Sequence, residues 1–134
     1  MGAPRFARTI GGLSLALATA CGGPSEPSLL TGVWGGEHVL LTIADASAHL
    51  EFDCAHGEIP TRLPAPPFSV AGTFVREHGG PIRVGEVPDS HPALYVVSTS
   101  GDVMTLTIRL SDSGELVGTF TLTRGSSGRV FKCL

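Results

Sequence analysis

Glycine and proline divide this chain into short segments and so limit what it can fold into. Its 134 residues include 18 glycines and 10 prolines, about a fifth of the total. Both residues interrupt helices and favour turns. From Leu30 onward, runs of β-branched and aromatic residues alternate with turn residues, and no helical period is sustained. The sequence therefore predicts an all-β domain.

Composition and charge exclude two broad classes. Apolar residues make up 42% of the chain, enough for a core, and charged residues only 16%, too few for a solvated disordered chain. Nine Lys and Arg side chains stand against twelve Asp and Glu, and no basic cluster occurs. Because nucleic-acid binding requires a concentrated positive surface, no nucleic-acid partner is expected.

The N-terminus has the pattern of a signal peptide. Arg5 and Arg8 precede a short apolar stretch, and the small residues Ala18-Thr19-Ala20 stand before Cys21. The apolar stretch is too short for a permanent membrane helix. Residues 1–20 are therefore expected to be removed, and a mature chain of formal charge −5 would remain, with seven basic and twelve acidic side chains.

Leu17-Ala18-Thr19-Ala20-Cys21 resembles the lipobox of bacterial lipoproteins, although a Leu usually stands where Ala18 is found. The resemblance implies that Cys21 becomes an acylated N-terminus that anchors the protein in the membrane. No Asp follows Cys21, which in that family implies the outer membrane of the cell envelope, facing the periplasm or the outside. Residues 21–29, rich in Gly, Pro and Ser, are predicted to form a flexible tether, and residues 30–134 the folded domain.

Cysteine parity agrees with this organisation. Acylation of Cys21 leaves two cysteines, Cys54 and Cys133, in an oxidising compartment. They are expected to form a disulfide, which in the chain-entropy model would stabilise the domain by roughly 4 kcal/mol. Two buried free thiols are the alternative.

Eight strands are predicted in the folded domain, each bounded by turn residues. Their ranges are Leu30–Gly35, Glu37–Ile43, Ala48–Cys54, Phe68–Arg76, Ala93–Ser98, Val103–Leu110, Glu115–Thr123 and Arg129–Cys133. Sequential hairpins of this kind form an antiparallel meander, and eight such strands can close into a small up-and-down barrel.

The alternation of apolar and polar residues predicts the register of two hairpins. A two-residue Asp45-Ala46 loop pairs Val39 with Phe52, Leu41 with Leu50 and Ile43 with Ala48, and places His38 opposite Asp53. A three-residue loop ending at a left-handed Gly114 pairs Met104 with Leu122, Leu106 with Phe120 and Leu110 with Leu116, and leaves threonines outside. Near Gly101 either Tyr95 or Val96 could face inward.

Two long Pro-containing stretches, Gly57–Pro67 and Glu77–Pro92, interrupt the regular strands. Stretches of this length are unusual as simple connections, so they are predicted to be rim loops that carry function. Their candidate contact residues are Arg62, Arg76 and His78.

Two further resemblances bear on the domain. Gly32-Val33-Trp34 is similar to the Gly-x-Trp opening of lipocalins and fatty-acid-binding proteins, which implies that Trp34 closes one barrel end with Arg124 packed across it. Residues 30–134 also resemble a group of small bacterial lipoproteins of uncharacterised activity. That resemblance rests on Trp34-Gly35-Gly36-Glu37-His38, Asp53-Cys54-Ala55-His56-Gly57 and Met104-Thr105-Leu106-Thr107.

Candidate chemistry is sparse. His38, Asp53 and His56 could converge as metal ligands, but a zinc site needs three or four supported ligands, and a cross-strand charge pair is the simpler interpretation. There is no Gly-x-Ser-x-Gly motif, and the disulfide would occupy Cys54, so neither enzymatic activity nor a cofactor is expected.

Three functions remain as hypotheses. The first is a membrane-anchored binding or inhibitory module that meets an envelope protein through its rim loops. The second is a lipocalin-like carrier of a small apolar ligand, and the third is a metal-binding protein. A purely structural envelope protein without a soluble ligand is the alternative to all three. The predicted inward side chains can fill an eight-stranded barrel, which weakens the carrier hypothesis. They are Val39, Leu41, Ile43, Leu50, Phe52, Phe74, Leu106, Ile108, Phe120 and Leu122.

Overall fold

A computed structural model describes residues 2–4, 11–12, 16 and 29–134 of the chain. The predicted lipidation site Cys21, and with it most of the predicted signal peptide and tether, lies outside these residues. Among the described residues, no helix is long and apolar enough to cross a membrane.

The described domain is a closed antiparallel barrel of eight strands, which confirms the predicted fold class. Each strand pairs with the next along the chain, and the last pairs with the first. The strands are β1 (Gly32–Gly36), β2 (Val39–Ile43), β3 (Ala48–Phe52), β4 (Ala55–Ile59), β5 (Phe68–Arg76), β6 (Asp89–Ser100), β7 (Val103–Leu110) and β8 (Leu116–Arg124).

The connections divide the barrel into two ends. We call the end with the connections 37–38, 53–54, 77–88 and 111–115 the upper rim. The other end, the lower rim, has the connections 44–47, 60–67 and 101–102 and receives the chain at Leu30. Because consecutive strands are antiparallel, successive connections alternate between the two rims.

Side chains fill the barrel interior. Tyr95 faces inward and is fully buried, whereas Val96 is exposed, which settles the alternative left open by the sequence. The Tyr95 hydroxyl donates a hydrogen bond to the Thr73 carbonyl over 2.6 Å. Gly57 makes room for the ring, because a Cβ at Gly57 would lie 2.2 Å from the Tyr95 hydroxyl oxygen. The remaining buried side chains form one apolar cluster around Tyr95.

Both hairpin registers are confirmed over most of their length. Val39 pairs with Phe52 in the first hairpin and Leu106 with Phe120 in the second, and Gly114 is left-handed with φ 75°. The predicted pairing of Leu110 with Leu116 is wrong. A register shift between Ile108 and Arg109 turns Leu116 outward, where it is 49% exposed.

One strand was not predicted, and one predicted strand is absent. Residues 57–59, predicted as part of a loop, belong to β4, which pairs with β3 and β5. The predicted loop Glu77–Pro92 is also too long, because residues 89–92 begin β6 and pair with β5. Residues Arg129–Cys133, predicted as a strand, do not pair along their length with a neighbouring strand. They make a single parallel β-bridge, between Arg129 and Glu37. Barrel closure is instead made by β8 against β1.

Residues 125–134, the C-terminal strap, return from the lower rim to the upper rim. Backbone hydrogen bonds hold the strap to β1 and the next turn: the Arg129 N–H donates to Gly36, and the His38 N–H donates to Arg129. Near its end the strap is joined to the β3–β4 turn by the Cys54–Cys133 disulfide, which confirms the predicted pair. The prediction that Cys54 belongs to the third strand is wrong, because Cys54 lies in the 53–54 turn with φ 52°.

Candidate functional site

The two loops predicted to share one surface lie at opposite ends of the barrel. Residues 60–67 are at the lower rim, and residues 77–88 are at the upper rim. Arg62 therefore lies far from Arg76 and His78, and its Nε donates a hydrogen bond to the Asp45 carbonyl. The two loops therefore do not form the predicted single contact surface. Only the loop of the upper rim lies beside Arg76 and His78.

An aromatic and cationic contact lies on the lower half of the barrel. The Arg124 guanidinium lies over the indole of Trp34, 4.4 Å from the ring centroid. Its Nε donates to Asp102 over 3.0 Å, which fixes the guanidinium in this position. A concavity of about 100 Å³ beside Leu30 and Arg62 is too small for a ligand of drug size.

Lys132 anchors the strap at the upper rim. Its ammonium donates to Glu51 Oε2 at 2.6 Å and to Glu77 Oε2 at 2.8 Å. The carbonyls of Phe52 and Ala55 also lie within hydrogen-bond distance, at 3.1 Å and 2.8 Å, so the three N–H groups are shared among four acceptors. The only lysine of the chain therefore links the strap to β3, to the first residue of β4 and to the start of the 77–88 loop.

Partial burial and ion pairing act in opposite directions on the pKa values of this cluster. Burial tends to raise the pKa of Glu51 and Glu77, but the hydrogen bonds from Lys132 and from a histidine at each carboxylate lower both below their ordinary range. Burial tends to lower the pKa of Lys132, yet its two carboxylate partners raise it. The cluster is therefore held in its charged form at neutral pH.

The three residues considered as metal ligands do not form one site. His38 Nδ1 lies 2.5 Å from Asp53 Oδ2, whereas His56 Nδ1 lies 2.8 Å from Glu77 Oε2. The backbone N–H of Phe131 also donates to Asp53, which lowers the pKa of that carboxyl group. Within residues 29–134, no group of three His, Cys, Asp or Glu side chains could hold a metal ion.

The upper rim contains a concavity of about 640 Å³, which we call the rim groove. Its apolar walls are Val75, Ile82, Val87 and Pro88. Its polar walls are His56, Arg76, Glu77, His78, Glu86 and Asp89, and the disulfide residue Cys133 lies at one side. The volume falls within the range of roughly 300–1,000 Å³ that ligand-binding clefts have.

Apolar side chains project from the loop that forms this groove. Ile82, Val84 and Val87 are 84%, 107% and 86% exposed. The end of the strap touches the same loop, because a Cβ at Gly79 would lie 2.3 Å from the Leu134 carbonyl oxygen. Leu134 is itself fully exposed, so the loop and strap together present several unburied apolar side chains.

Backbone strain is found at the same end. His38 and Cys54 are the non-glycine residues of the described chain with positive φ, 70° and 52°. Both lie in tight turns of the upper rim, and each such conformation costs on the order of 1 kcal/mol. His38 is held by Asp53 and by the strap, and Cys54 is held by the disulfide. Strain of this kind is concentrated at functional sites in proteins.

The sequence singled out His56, Arg76 and His78 of the rim groove but not the residues that pair around them. Lys132, Glu77 and Glu86 were not singled out, because their partners are distant in sequence or lie within an irregular loop. The exposed Ile82, Val84 and Val87 were a usable signal, since three apolar residues within a Gly- and Pro-rich loop have no strand to pack on.

No family model, no curated protein and no solved structure matches this chain.

The Lys132 cluster predicts how stability depends on pH. Glu51 and Glu77 have lowered pKa values in the folded protein, so their contribution is present above the ordinary Glu pKa and is lost as the pH falls through the folded values. We expect Lys132→Met to destabilise the protein by about 1 kcal/mol at neutral pH, because the pairs are partly exposed. This loss should shrink toward pH 3 in urea unfolding.

Arg62→Met is the matched control, since it removes one cation at the lower rim that pairs with no carboxylate in the described residues. Its effect on the free energy of unfolding should not depend on pH in the same range. An equal loss from Lys132→Met at pH 7 and near pH 3 would contradict the assignment.

Proposed function

We propose that the protein is a lipid-anchored binding or inhibitory module that meets a protein of the bacterial cell envelope through its upper rim. The observation that carries this proposal is the 77–88 loop, whose Ile82, Val84 and Val87 are exposed beside the rim groove. Exposed apolar patches on a folded domain mark interaction surfaces, and rim loops on a rigid barrel are common binding elements.

The packed interior favours binding at the rim over transport inside the barrel. Tyr95 and the side chains around it occupy the space that a carried ligand would need. The rim groove is lined by loop and strand-end residues such as Ile82 and Glu77, not by this core cluster. A macromolecular partner could therefore reach the rim groove from solvent without entering the barrel.

The path of the chain supports the same orientation. The described chain enters the barrel near Leu30 at the lower rim, whereas the rim groove is at the opposite end. Residues 21–29 could extend over at most about 30 Å. An anchor at Cys21 would thus hold the lower rim near the membrane and leave the upper rim free to meet a partner.

Cys21→Ser tests the anchor. We expect the variant to leave the membrane fraction, because it lacks the thiol that would be acylated. Mass spectrometry of the mature N-terminal peptide of the wild-type protein should show a lipid-modified Cys21. An unmodified Cys21, or one bonded to another cysteine, would show an ordinary secreted protein instead.

In-cell cross-linking tests the binding surface. A photo-reactive amino acid at position 84 should join the full chain to one defined envelope protein, because Val84 is fully exposed on the loop. The same amino acid at position 62 of the lower rim is the control and should not recover that protein. Recovery from position 62 alone, or equal recovery from both positions, would contradict the proposal.

A further inference from the structure

The walls of the rim groove indicate which kind of segment it accepts, an inference that rests on the proposed binding function. Val75, Val87 and Pro88 provide apolar surface that a partner's apolar side chains could cover. Glu77, Glu86 and Asp89 provide carboxylates, and Arg76 is the single Lys or Arg of the lining.

The cations next to these carboxylates are already engaged. Arg76 donates to Glu115, which lies outside the lining, at 3.0 Å. Lys132 is shared between Glu77 and Glu51. Arg76 is the cross-strand register partner of Asp89, but neither cation forms an ion pair with Asp89 or with Glu86.

Glu86 and Asp89 have histidines as their side-chain partners. Glu86 pairs with His78, and Asp89 lies 2.8 Å from His91. No lysine or arginine of residues 29–134 forms an ion pair with either carboxylate. With neutral histidines, the groove presents two carboxylates that form no ion pair with a lysine or arginine, and its three carboxylates outnumber its one arginine.

We propose that the rim groove binds a polypeptide segment in which a lysine or arginine is flanked by apolar side chains. The cationic group meets Glu86 and Asp89, and the flanking side chains pack on Val75, Val87 and Pro88. The groove is complementary in charge and in polarity to such a segment. Its volume of about 640 Å³ is suited to several side chains and not to a whole folded surface.

The histidines make this binding depend on pH. The Gly79 carbonyl and Glu86 raise the pKa of His78, and Asp112 and Asp89 raise that of His91. Protonation adds positive charge beside Glu86 and Asp89, so affinity for a cation should rise as the pH increases through these pKa values. The other charged groups around the groove are His56, Arg76, Glu77, Arg83, Asp112, Glu115 and Lys132.

Fluorescence anisotropy with labelled pentapeptides tests the proposal on the full chain with its disulfide formed. Three peptides have leucines on both sides of a central lysine, norleucine or glutamate. A fourth has glycines on both sides of a central lysine. We expect the leucine-flanked lysine peptide to bind about fivefold more tightly than its norleucine counterpart, the scale of one partly exposed ion pair. The glycine-flanked peptide should also bind more weakly, since it buries less apolar surface.

Glu86→Gln locates the site. It should reduce affinity for the lysine peptide about threefold to fivefold and leave the norleucine peptide unaffected. Asp102→Asn is the matched control, because it removes one negative charge at the lower rim, and it should change neither affinity. Circular dichroism of both variants checks that the barrel is intact.

Several results would overturn the inference: equal affinity for the lysine and norleucine peptides, tighter binding of the glutamate peptide, no binding of any peptide, or the same loss from Asp102→Asn. These results leave the cross-links at Val84 unaffected, so the proposed function would stand with a different ligand chemistry. If the lysine peptide binds as expected but position 84 cross-links to no envelope protein, the proposed partner is contradicted and the ligand chemistry of the groove stands.

Discussion

The close approach of β1 to β8 is the contact on which the rest of the structure depends. The two strands join through the pairs Trp34 with Arg124 and Gly35 with Thr123. Beyond these pairs the backbones remain so close that a Cβ at Gly36 would lie 2.0 Å from the Thr121 carbonyl oxygen. Glycine is therefore required for the barrel to close, and closure removes both exposed strand edges.

The same glycines determine the path of the strap. A Cβ at Gly35 would lie 2.3 Å from the backbone nitrogen of Gly128, so the strap can pass β1 only where side chains are missing. From there it reaches the upper rim, where Lys132 and Cys133 fasten it to β3 and to the β3–β4 turn. The rim groove thus has one wall that is covalently fixed, although that wall comes from the end of the chain.

Local alternation predicted most of the fold, because each hairpin is decided by residues close in sequence. Val39 with Phe52 and Thr105 with Thr121 follow from alternation and turn length alone. β4 was missed because Gly57 gives it no strand pattern, and the reason for that glycine is Tyr95, almost forty residues later. The strap resembled a strand in composition, but its contacts with Glu51 and Asp53 are non-local. The rim groove could not be predicted either, because its walls come from segments distant in sequence. Arg76 and His78 at its edge were nevertheless singled out as candidate contact residues.

Hydrogen–deuterium exchange tests most directly whether the upper rim is the binding surface. The full chain would be compared in native envelope membranes and as the purified protein. Binding at the upper rim predicts added protection in residues 77–88 and in the strap, with exchange in the 60–67 loop unchanged. Added protection confined to residues 60–67, or to the outer faces of β7 and β8, would contradict the account.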